Sequence, residues 1–155
     1  MFCTASDACH VAGVCNPGTG LCSNPNAPNG TGCDDANPCT SGETCTSGLC
    51  GGGTPNLPGE LVNARFTDPT TLVWDTIPDG PRYDALRGEL ATLPVGPGAG
   101  DEVCFDELLT AVLVDGTPPA PGTGFWYVIR GSNVCGIGGY GSQSDLTPRT
   151  STTCP

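Results

Sequence analysis

Apolar and polar positions alternate in short bursts along the second half of the chain. "ELVNARF" (60–66), "TTLVWDTI" (70–77), "PRYDALRG" (81–88), "TAVLVD" (110–115), "GFWYVIRGSN" (124–133) and "YGSQSD" (140–145) carry β-branched and aromatic residues between Gly, Pro, Asn and Asp. Such runs, punctuated by turn residues, predict short strands, and several in succession predict an antiparallel β-sandwich. In the longest run, alternation sends Phe125, Tyr127 and Ile129 to one face and Trp126, Val128 and Arg130 to the other. No stretch sustains a helical period, and "DEVCFDELL" (101–109) supports one or two helical turns at most.

The first 50 residues follow a different pattern. Their eight cysteines fall in two units, Cys3, Cys9, Cys15 and Cys22, then Cys33, Cys39, Cys45 and Cys50, whose starts lie 30 residues apart. The spacings are C-x5-C-x5-C-x6-C and C-x5-C-x5-C-x4-C. Four bridges within this module are expected, with connectivity left open by the sequence. Units this small bury little apolar surface and rely on cross-links. "GGGTPNLPGE" (51–60) reads as a linker, flexible at its glycines and stiffened by two prolines. The expected order is therefore a cysteine-rich module over residues 1–50, a linker over 51–60 and a β-sandwich over 61–155, an all-β chain throughout.

The second part resembles a fibronectin type III domain over about residues 58 to 150. Trp74 in "LVWD" matches the core tryptophan of that family's second strand, and Tyr83 in "RYDALRG" the aromatic of the third. "GTGFWYVIRGSNVCGIGGYGSQS" is similar to its sixth strand, with Tyr127 as the core tyrosine, followed by a glycine-rich turn into the last strand. Cys104, Cys135 and Cys154, and a long insert around "ATLPVGPGAGDE", set this chain apart from the family. The first part is similar to the acidic cysteine-rich repeats of large secreted bacterial proteins, through its cysteine spacing and the wording "GTGCDDANPCT". That resemblance implies no activity.

Charge narrows the partners. The 155 residues carry a net charge of −11, and all five basic residues are arginine. Nucleic acid and anionic membrane both need clustered positive charge, so neither is an expected partner. No apolar run approaches the roughly 20 residues of a membrane helix. With no basic-then-apolar leader, the sequence reads as a mature or excised segment. Eleven cysteines place it in an oxidising compartment, secreted or at a cell surface.

"CDDANPCTSGETC" (33–45) holds the main candidate site. Asp34, Asp35, Asn37 and Glu43 offer the side-chain oxygens that a hard cation such as Ca2+ requires, although not at EF-hand spacing. An equally serviceable reading makes them caps of tight turns. The first repeat has Thr4, Ala5, Asp7 and Gly13 at the matching places, and only Asp7 could lend a ligand. Zinc and thioredoxin-like chemistry both want C-x2-C, which does not occur. A Ser-His-Asp site would need His10, the single histidine, which is placed beside Cys9 in a small cross-linked loop. The acid pairs Asp101–Glu102 and Asp106–Glu107 read as solvated loop rather than glycosidase machinery.

Outside the module, Cys104 and Cys135 are the expected pair. Cys154 is left over for another chain, for the N-terminal module or for no partner. Asn29 begins an N-x-Thr glycosylation triplet, "NGT". The expectation is therefore a non-enzymatic extracellular structural protein, the subunit or repeat of a disulfide- and calcium-stabilised filament or surface layer built head-to-tail from its own copies. The alternative is a secreted adhesin or accessory module recognising protein or surface polysaccharide, with Trp126 and Tyr140 as exposed stacking aromatics.

Overall fold

The computed structural model describes residues 2–78, 82–96 and 100–154. Pro81 of the third predicted strand and residues 97–99 of the insert lie outside them. The chain divides into two compact units, Met1–Asn56 and Leu57–Pro155. Both are built from antiparallel strands, and among the described residues there is no α-helix.

The first unit holds four short strands, β1 (Thr40–Ser41), β2 (Thr44–Thr46), β3 (Leu49–Gly51) and β4 (Thr54–Pro55), paired β1 with β4 and β2 with β3. Ser47 and Gly48 join β2 to β3 with φ of +53° and +84°. Two successive positive values make the turn whose twist matches a two-residue hairpin. Gly51, Thr54 and Pro55 lie in strands rather than in a linker, and Asn56 ties this end down by donating to the carbonyls of Pro38 and Thr40. Cross-links replace a large core. Cys3–Cys22 and Cys33–Cys50 each join the first and last cysteine of one repeat, while Cys9–Cys45 joins the two repeats at the buried centre.

The second unit has two sheets. β5 (Arg65–Phe66), β6 (Thr71–Val73) and β9 (Val112–Val114) form one in the order β5-β6-β9. β7 (Arg82–Glu89), β8 (Val103–Leu108), β10 (Phe125–Asn133) and β11 (Gly136–Ile137) form the other in the order β11-β10-β7-β8. Side chains of both sheets share one core: Leu72 and Leu113 from the first, Tyr83, Ala85 and Ile129 from the second, with Trp74. Trp74 and Tyr83 meet edge to face at 5.4 Å between ring centroids, a favoured aromatic geometry.

The opposite face of the larger sheet is also covered. Leu86 and Trp126 pack with Val95, Tyr140 and Cys154 in a second core, secured by the Cys104–Cys154 bridge. That is why β7 is buried at successive positions rather than at alternate ones.

Two expectations change here. "DEVCFDELL" contributes strand β8, not a helical turn, because pairing with β7 uses Val103 through Leu108. "YGSQSD" forms no named strand. The last strand is the two-residue β11, after which Gly141, at φ +75°, turns the chain.

Candidate functional site

Asp34, Asn37 and Glu43 line one cavity of about 510 Å3 in the first unit; Asp35 does not. The caps predicted as the alternative are also present. Asp34 Oδ1 accepts from the Ala36 N–H at 2.7 Å, Asp35 Oδ1 from Asn37 at 2.9 Å and Asn37 Oδ1 from Cys39 at 3.1 Å. Each aspartate uses one oxygen for this, and a carboxylate has two. Glu43 differs from the others. It is 6% exposed, packs across Gly53, where a Cβ would stand 2.5 Å from Oε1, and leaves that oxygen buried without a hydrogen-bond partner among the described residues. A buried, unpaired carboxylate oxygen is costly, and Glu102 Oε1 is another among the described residues. The three acids are not gathered into a cage, however. Among the described residues the one cluster of three such groups within 4.8 Å is Cys9, Cys33 and Cys50, and all three sulfurs are in bridges.

The cysteine arithmetic resolves differently from the expectation. Cys154 is 1% exposed and pairs with Cys104, so it is not available to another chain, and Cys104 does not pair with Cys135. Cys39 and Cys135 are also oxidised. The odd thiol is Cys15, partly buried, so the four-bridge closure of the first eight cysteines does not form. Cys15 faces Cys22 in an isolated antiparallel bridge, but Cys22 is already joined to Cys3. Spacing alone could not select among these partners, because connectivity depends on how the repeats fold back on each other.

The remaining candidates are placed as follows. His10 Nδ1 lies 2.7 Å from Asp7 Oδ1, and this contact, with help from Ser6, holds the Asp7 carboxyl below its usual range. Asn29 is exposed, and its side-chain carbonyl caps the Ser47 N–H. Trp126 and Tyr140, the expected stacking aromatics, are 8% and 4% exposed and belong to the second core. They offer no open platform. Asp101 accepts from the Glu89 N–H and the Thr92 hydroxyl. Glu102 is buried and accepts from Ser151 and Thr153. Both acids brace loops.

Sequence reasoning missed the buried charge network of the larger sheet. Asp115, following β9, receives Arg87 at 2.6 Å, the Tyr127 hydroxyl at 2.9 Å and the Thr117 N–H at 2.9 Å. Burial works to raise the Asp115 pKa, but these donors outweigh it and the carboxyl sits below its usual range. Burial, and then the charge of Asp115, push Tyr127 up to about 12. Arg87 also stacks over Phe125, 4.3 Å from the ring centroid, as a guanidinium favours. Arg130 is held in the same manner, by Asp84 at 2.9 Å and over the Tyr140 ring at 4.9 Å. An arginine inside each of the two longest apolar runs was the available signal, because a charge there needs a buried partner.

No family model, curated protein or solved structure matches this chain.

Proposed function

We propose that the chain is a non-enzymatic extracellular structural module, a subunit or repeat of a disulfide-stabilised filament or surface layer, whose second unit is a fibronectin type III-like sandwich. The observation that carries this reading is the cross-linking: ten of the eleven cysteines are oxidised. The bridges hold a first unit whose strands are only two or three residues long. A framework of that kind favours persistence outside the cell over movement around a substrate. In support, no helix of the described residues is long and apolar enough to cross a membrane. The strand orders β5-β6-β9 and β11-β10-β7-β8 around a shared core support the sandwich reading.

Calcium enters the proposal through Glu43, Asp34 and Asn37. It would neutralise the orphaned Glu43 oxygen and stiffen the loop between the bridged Cys33 and Cys45. Negative-stain microscopy of natively isolated, unreduced material, with calcium and after chelation, tests the proposal. Filaments or sheets that loosen on chelation are expected. Dispersed single particles in both conditions would overturn the structural reading, and assemblies indifferent to chelator would remove the metal from it.

A further inference from the structure

One edge of strand β10 has no partner strand over its first half. Its register with β7 sets Phe125 opposite Glu89, and the Leu90 N–H donates to the Gly124 carbonyl at 2.9 Å. That bond fixes the alternation: the backbone groups of Trp126, Val128, Arg130 and Ser132 point to β7, and those of Tyr127, Ile129 and Gly131 point away. On the far side β11 pairs only with Ser132 and Asn133, and the Gly138 N–H takes the Gly131 carbonyl at 2.8 Å. No described residue hydrogen-bonds to the N–H or C=O of Tyr127 or Ile129. Ile129 is nevertheless only 7% exposed. Unpaired main-chain groups at so buried a position are rare in finished folds.

A cavity of about 310 Å3 runs along this edge. Trp126, Tyr127, Val128 and Ile129 all line it. Alternate side chains leave a strand on opposite faces, so four successive residues can share one cavity only along the strand's edge. Leu61, Ala64, Leu93 and Val95 add apolar lining, and the charged Glu60 and Arg149 also border the cavity. Unpaired backbone groups two residues apart, flanked by apolar side chains, are what an added β-strand recognises.

We infer that this slot beside β10 accepts an extended segment of a second copy of the chain, and that the donor is Phe2–Ala5. Two observations select this occupant. Phe2 is 100% exposed, and no backbone hydrogen bond of the described residues involves Phe2, Cys3, Thr4 or Ala5. The donor therefore brings an unburied aromatic ring and unused donors and acceptors. Phe2–Ser6 also carries no charged side chain, so in copies of net charge −11 the donor brings no carboxylate against the Glu60 that borders the slot. Donor and acceptor are different segments of the chain, so the contact between copies is heterologous and can propagate head-to-tail. The inference rests on the structural reading proposed above and supplies its joint.

Sedimentation velocity of the unreduced chain over rising concentration, with two variants, tests it. Phe2→Asp disables the donor and Ala64→Trp fills the slot; both positions are exposed, so neither change strains the core. The native chain is expected to form a concentration-dependent series of multimers and each variant to stay monomeric. An equimolar mixture of the two should stop at dimers, since it retains one working donor and one working slot. Native multimers that persist in both variants would overturn this joint while leaving a structural role standing. A native chain that is monomeric throughout would overturn both.

Discussion

At the residue scale, Asp115 carries more than its position after a short strand suggests. It balances Arg87 and holds the Tyr127 hydroxyl within the larger sheet. Removing one partner of a buried pair leaves the other charge unpaired, so Asp115→Ala should cost about 3 kcal/mol, measured by denaturant unfolding. Asp115 has a lowered pKa in the folded chain. Its contribution is therefore present above the unfolded carboxylate value and lost as pH falls through the folded one, and Asp115→Asn should flatten the acid limb of stability. The tyrosines act at the other end of the scale. Burial is the first cause that raises Tyr127 and Tyr140 to about 12. Stability from their neutral forms is complete below about pH 10 and lost between there and about 12. Absorbance titration of phenolate should show these two groups ionising late, with unfolding. Glu43 gives a third prediction. Calcium should raise Tm in the native chain and leave Glu43→Gln unchanged; equal shifts in both would place the ion elsewhere.

At the element scale, the longest alternating runs were the readable ones. "GFWYVIRGSN" and "RYDALRG" became β10 and β7, the paired centre of the larger sheet, and Tyr127 and Ile129 do face the shared core. Period two is decisive when it runs for eight or nine residues. It was not decisive in "DEVCFDELL", where adjacent acids interrupt the alternation and pairing with β7 settles the outcome. "YGSQSD" formed no named strand because Gly141, at φ +75°, turns the chain, leaving Ser142 only an isolated bridge to Pro148. The disulfides were legible as a framework but not as pairs. Cys104–Cys154 spans 50 residues, and Cys154 became part of a core that the linear pattern does not reveal. Replacing both with serine should cost about 2–5 kcal/mol without changing the chain's mass on a non-reducing gel. Alkylation of the folded, unreduced protein should add one label, at Cys15. A label at Cys154 instead would contradict this pairing.

At the scale of the whole molecule, two small units achieve rigidity by different means. The first is cross-linked around a buried cystine, and the second stacks two sheets and then covers the outer face of the larger one. Covering that face removed the aromatic platform that a sugar-binding role would have used. The same strand that carries Trp126 inward leaves its edge open at Tyr127 and Ile129. Composition shows an acidic, cysteine-rich chain; the open edge belongs to the fold, since no residue type marks an unpaired amide.

Amide hydrogen exchange at Tyr127 and Ile129, compared between dispersed and assembled material, would show whether a second copy adds a strand beside β10. Rapid exchange is expected in the single chain, against slow exchange at Val128 and Arg130, whose amides face β7. In the assembly all four should be protected. Tyr127 and Ile129 exchanging at the same rate in both states would contradict strand addition as the joint between copies.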